Sequence, residues 1–164
     1  MSGYSTRFGS LESYDKGGIE IINDDPKHYA FSNIFEVAAS SKPWEKVAVA
    51  KNVQYVLEVI RAEGTSEWRS CAHDEFATVL DGQVVVELVA LDQPAVPADK
   101  GGSIALAEPP TGPKMGHLVL GRGHLGLLPA NSAYRFVAHG VGVILLQTIQ
   151  GDDTIERWAE ICLS

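Results

Sequence analysis

His73 and Glu75 are separated by one residue, so on a β-strand both would project from the same face. An imidazole and a carboxylate on one face are half of a site for iron, manganese, nickel or zinc. His124 and His139 lie far along the chain and could complete such a site. The alternative is that all of these are surface or hydrogen-bonded histidines, as most histidines are. Cys71 has no Cys-His-Asn arrangement around it, and a buried, inert thiol is expected. Gly121-Arg122-Gly123-His124-Leu125-Gly126 spells G-x-G-x-x-G. Leu127-Leu128-Pro129 follows it instead of a helix, and no βαβ unit surrounds it, which removes the dinucleotide reading.

Short β-strands must position these groups. Apolar, often alternating runs occur at residues 47–49, 55–60, 76–80, 84–91, 104–106, 118–120, 125–128, 134–137 and 143–149. Asp81-Gly82 between two of these runs predicts a two-residue β-hairpin. Residues 92–116 are too rich in Pro and Gly for a central strand and predict a surface hairpin with irregular ends. Residues 154–162 alternate and predict a closing strand. The first 30 residues, with one alternating run at Ile19-Glu20-Ile21-Ile22 and a turn at Asn23-Asp24-Asp25-Pro26, read as an arm over the main domain or a partner. Residues 31–40 suit either a short helix capped by Ser32 or a strand from Ile34 to Ala38, ended by Pro43. The expected organisation is an arm and short element over 1–45 and a β-barrel over 46–164.

Two spacings give that barrel a family. Glu75, six intervening residues and Gly82 reproduce the second half of the first cupin motif. Gly123, five intervening residues and Pro129 reproduce the opening of the second, with Asn131, which tolerates left-handed backbone, in a Gly place. The chain is thereby identified as a member of the cupin superfamily, which implies an all-β jelly-roll barrel with an extended N-terminal arm and few or no long helices. The cupin motifs supply two His, a carboxylate and a third His to one metal. Here the His pair falls on Arg69 and Cys71, or on Trp68 and Ser70, and Tyr134 takes the third His place. Arg offers no lone pair and Trp cannot ligate, so only Glu75 survives of four ligands. The barrel reads as a metallo-cupin that has lost its metal.

Length and charge agree with a soluble protein. The chain has 164 residues, enough for one domain, and a net charge of -8, which argues against nucleic acid or anionic membrane as partner. No apolar run approaches a membrane span, no secretory leader is expected at the start, and two cysteines imply no disulfide framework; a cytoplasmic setting follows.

Longer stretches resemble a narrower family. They are Phe35-Glu36-Val37-Ala38, Glu45-Lys46-Val47-Ala48-Val49-Ala50-Lys51-Asn52, Arg61-Ala62-Glu63-Gly64-Thr65-Ser66, Ala72-His73-Asp74-Glu75-Phe76, Leu145-Leu146-Gln147-Thr148-Ile149 and Trp158-Ala159-Glu160-Ile161-Cys162. Together they resemble the small (alpha) subunit of two-subunit hydroquinone 1,2-dioxygenases. The resemblance implies a chain without metal or catalytic residues of its own. The Fe(II) would belong to a larger catalytic subunit in an α2β2 heterotetramer that opens hydroquinone to 4-hydroxymuconic semialdehyde during breakdown of para-nitrophenol-type compounds. Trp68, Arg69, His73, Glu75 and Tyr134 are the residues expected near substrate or in the degenerate cupin pocket. A stand-alone binding module for a small ligand, lined by Arg69, Glu75 and Tyr134, and a single-chain metallo-dioxygenase using His73 and Glu75 are the competing readings.

Overall fold

A computed structural model describes residues 8–29 and 32–163. Residues 1–7 of the expected arm and Phe31, the expected start of the first element, lie outside the described residues, as does the side chain of Cys162. The fold is an all-β jelly roll built around one strand, β9 (Ser132–Ile149), which takes part in both layers. Its C-terminal half pairs with β2 (Tyr55–Thr65) and β4 (Glu75–Asp81). Beyond them, β1 (Lys46–Asn52) and β10 (Thr154–Ile155) extend one side and β8 (Leu125–Leu128) the other. Its N-terminal half pairs with β5 (Gln83–Ala90) and β3 (Arg69–Cys71), which in turn pair with β7 (Lys114–Gly121) and β6 (Ser103–Ala105).

The barrel core fills the space between the layers, with Ile60, Val79, Val86, Leu120, Phe136, Ile144 and Leu146 among its members. A second core lies on the outer face of the first layer. There α1 (Ile34–Ser40), Leu11 of the arm and Ile161 of α2 (Trp158–Leu163) cover Val47, Val49, Val59 and Val143. Residues 46–49 of β1 and 56–60 of β2 are thus covered on both faces. A polar side chain in these stretches has no solvent to turn to. No helix among the described residues is long and apolar enough to cross a membrane.

Several sequence expectations change. Asp81-Gly82 is not a hairpin, because β4 and β5 do not pair with each other. The chain instead crosses there from one layer to the other, packed on the bend of β9: a Cβ on Gly82 would lie 2.9 Å from Gly142 Cα. The runs at 134–137 and 143–149 are one strand, whose backbone hydrogen bonding survives the bend. The closing strand at 154–162 keeps only Thr154–Ile155, and Trp158–Leu163 is helical, its Trp158 and Ile161 one helical turn apart. Residues 31–40 resolve as helix, capped by Asn33 rather than Ser32: Asn33 Oδ1 accepts from the Phe35 and Glu36 N–H groups at 3.1 and 3.3 Å. Within 92–116 there is no hairpin, since β6 pairs with β3 and β7 with β5. Ile19-Glu20-Ile21-Ile22 forms no strand, having no partner among the described residues to complete a ladder.

Candidate functional site

Strand register selects the side chains that share the barrel interior. Arg69 on β3 stands directly opposite Tyr134 on β9. Ala77 on β4 opposes Leu146 on β9, so Glu75 and Thr148, two residues further along each strand, project inward together. Glu58 on β2 opposes Leu146 and faces the same way. Val47 on β1 opposes Val59, which puts Lys46 on the interior face with Ile60.

These groups form two buried polar clusters. In the first, the Tyr134 hydroxyl donates to Glu75 Oε2 at 2.6 Å and the Thr148 hydroxyl to Glu75 Oε1 at 2.7 Å. Glu75 is completely buried, and Tyr134 nearly so. Burial, reinforced by the Glu75 charge, holds the Tyr134 phenol well above its usual range. In the second, Lys46 Nζ lies 3.3 Å from Glu58 Oε2 and donates to Ser103 Oγ at 3.3 Å. Thr154 donates to the other Glu58 oxygen at 2.5 Å. Arg69 joins the clusters: Nε donates to Ser103 Oγ and Nη2 to the Ser103 carbonyl, both at 2.8 Å, while Nη2 also pairs with Asp153.

Above the clusters opens a cavity of about 470 Å³ lined by Arg69, Tyr134, Lys46, Trp44, Phe136 and Ile60. Of the five residues expected at the site, Arg69 and Tyr134 line this cavity, and Glu75 sits behind Tyr134. Trp68 and His73 are elsewhere. Trp68, next to the inward Arg69, faces out; the Arg135 guanidinium lies 4.6 Å from its ring centroid in a groove with Glu87 and His117. His73 precedes β4 instead of sharing a strand with Glu75, so the expected common face does not exist. Its Nδ1–H donates to the Asp74 carbonyl at 3.0 Å, and its buried Nε2 has no hydrogen-bond partner among the described residues.

Sequence reasoning missed Lys46, Glu58, Ser103 and Thr148. The signal for Glu58 was present: Val56, Ile60, Leu57 and Val59 make both of its possible faces apolar, so it is buried whichever way the strand turns.

A divalent metal does not fit this donor set. Arg69 brings a guanidinium where the first imidazole would stand. The Cys71 thiol donates to the Gly102 carbonyl at 3.2 Å, and burial followed by the Glu75 charge pushes it up to about 11, away from a ligating thiolate. Both Glu75 oxygens already accept hydroxyl protons. Among the described residues no three His, Cys, Asp or Glu side chains gather to hold an ion, so His73, Glu75, His124 and His139 do not rebuild the site.

Comparison with solved structures finds full-length likenesses. The chain is 53% identical to a chain of the hydroquinone 1,2-dioxygenase PnpCD solved with Cd2+ and 4-hydroxybenzonitrile, with TM-score 0.90 over 100% of this chain and 99% of that one. It is 52% identical to a chain of the hydroquinone 1,2-dioxygenase from Sphingomonas sp. TTNP3 solved with 4-hydroxybenzoate bound, with TM-score 0.90 over 99% of both. A longer chain of PnpCD, from the structure with Fe3+, shares the fold alone: 8% identity and TM-score 0.60, over 84% of this chain and 38% of that one. No protein-family model and no curated protein matches the chain.

Proposed function

We infer the role of this chain from its family, the hydroquinone 1,2-dioxygenases, to which it belongs. It is the metal-free cupin subunit, structural and accessory, of a heteromeric Fe(II)-dependent dioxygenase. The complex opens hydroquinone to 4-hydroxymuconic semialdehyde in the cytoplasmic breakdown of para-nitrophenol-type phenols. Iron and its ligands belong to a larger partner subunit, with two copies of each chain. Residues 46–164 are the barrel that meets the partner, and residues 1–45 an arm laid against it.

One observation carries this reading: Glu75, the carboxyl left in a metal-ligand position of the cupin motif, spends both oxygens on Tyr134 and Thr148. A chain of PnpCD with nearly the same extent as this one, and a longer chain of that enzyme with the same fold, support a division of labour between two cupin subunits. The para-substituted phenols held by the relatives, 4-hydroxybenzonitrile and 4-hydroxybenzoate, support a phenolic substrate. Of this chain's residues, Trp68 on the outer face and His73 ahead of β4 are placed nearest the shared site. Arg69, Glu75 and Tyr134 shape the barrel behind them.

Reconstitution tests the reading. The purified chain, assayed by oxygen consumption and product absorbance, should not open hydroquinone. Adding the larger subunit should give a stable complex and turnover. Turnover by the isolated chain would overturn the assignment.

A further inference from the structure

We propose that the cavity at the barrel mouth is a binding site for a small, planar monocarboxylate, held by this chain's own residues. The proposal does not depend on the subunit assignment.

The volume, about 470 Å³, is in the range of small-ligand pockets. Its apolar side is a flat aromatic wall, with Trp44 and Phe136 stacked at 6.0 Å and 7°. Trp44 holds a left-handed backbone at φ 66°, a strained geometry for a bulky residue that sites commonly conserve for placement. Its polar side offers unfilled donors. The Lys46 ammonium, 5% exposed, has three N–H donors and one hydrogen-bond acceptor, Ser103 Oγ, with Glu58 Oε2 beside it as an ion-pair partner at 3.3 Å. Arg69 Nη1 makes no hydrogen bond among the described residues, and Glu67 Oε2 stands 4.0 Å from it. Both cations are drawn together by Ser103 Oγ, which accepts from each.

A carboxylate at this point receives charge-assisted donors from two directions while its ring lies on the Trp44 wall. A neutral alcohol of the same shape keeps the wall and loses most of the charge-assisted part. Glu45, Glu67 and Asp153 also line the cavity, Asp153 already paired with Arg69, so each further negative charge on a ligand is penalised and no more than one is accommodated. Glu75, the remaining buried acid nearby, is screened behind the Tyr134 hydroxyl.

The test is a titration of the 15N-labelled full chain with benzoate and, separately, with its neutral counterpart benzyl alcohol. Benzoate should shift the Trp44 indole and the backbone of residues 44–46 and 66–69 saturably, with a dissociation constant about tenfold lower than that of benzyl alcohol. Lys46→Met/Glu58→Gln, which removes both charges so that neither is left buried alone, should abolish the preference. Thr65→Trp, at the exposed rim, should block both ligands while leaving the rest of the spectrum in place. Absence of saturable benzoate binding, equal affinity for the two probes, or a preference that survives the double substitution would each overturn the proposal.

Discussion

Tyr134 donates its hydroxyl proton to Glu75 across 2.6 Å, joining the two cupin ligand positions by a hydrogen bond where a metallo-cupin would join them through an ion. Thr148 occupies the other carboxyl oxygen at 2.7 Å. Two hydroxyls thus satisfy a fully buried acid in the middle of an apolar core, which would otherwise be costly to bury.

Removing either hydroxyl leaves one Glu75 oxygen buried and unpaired. Tyr134→Phe and Thr148→Val should each lower stability by about 1–3 kcal/mol in urea unfolding. No change in either variant would mean that the acid is not held as described.

The Lys46–Glu58 pair predicts a different pattern. Lys46→Met strands the Glu58 charge in the barrel and should cost about 3–5 kcal/mol. Lys46→Met/Glu58→Leu removes both charges and should recover most of that loss. Additive losses in the double variant would show that the two side chains do not compensate each other.

Gly82 should resist substitution more than Gly140. At φ 73°, with Gly142 Cα 2.9 Å from any added Cβ, Gly82→Ala should cost about 1–3 kcal/mol. Gly140 has no atom of the described residues within 4 Å of an added Cβ, and Gly140→Ala should stay within about 0.5 kcal/mol. Thermal unfolding of the pair checks the crossing point between the layers.

Asp81 anchors the arm and predicts an acid response. Burial works to raise its pKa, but the Leu11 N–H at 2.9 Å, Arg122 at 2.6 Å and the Gly82 N–H at 3.0 Å outweigh it and hold the carboxyl below 3.8. A pKa depressed by folding contributes stability that is complete above the unfolded value and is lost as pH falls through the folded value. The Leu11 and Gly82 amide resonances should therefore titrate together at that low pH, and Asp81→Asn should remove the transition. Amides that do not titrate would detach the arm from Asp81.

Much of this was legible because strand alternation and motif spacing are local. Glu75 and Tyr134 meet inside the barrel, and Asn131 adopts the left-handed backbone at φ 59° expected where the motif has Gly. The misreadings share a different cause. Asp81-Gly82 resembles a hairpin turn in sequence, but its role as a crossing depends on Gly142, sixty residues away in the chain. Gly140 and Gly142 resemble a turn between two strands, yet the ladders on both sides keep β9 continuous. Lys46 reaches the interior face, beside Ile60 and Glu58, only through the pairing of β1 with β2. Each depends on a long-range contact that no short window contains.

The central claim is that this chain does not hold the iron. Its most direct test is iron content by mass spectrometry of the elements, after anaerobic loading with Fe(II) and desalting, for the chain alone and for its complex with the larger subunit. The account predicts negligible iron in the isolated chain and iron in proportion to the larger subunit in the complex. About one tightly held iron per isolated chain would contradict it, and would require Glu75 to release Tyr134 and Thr148.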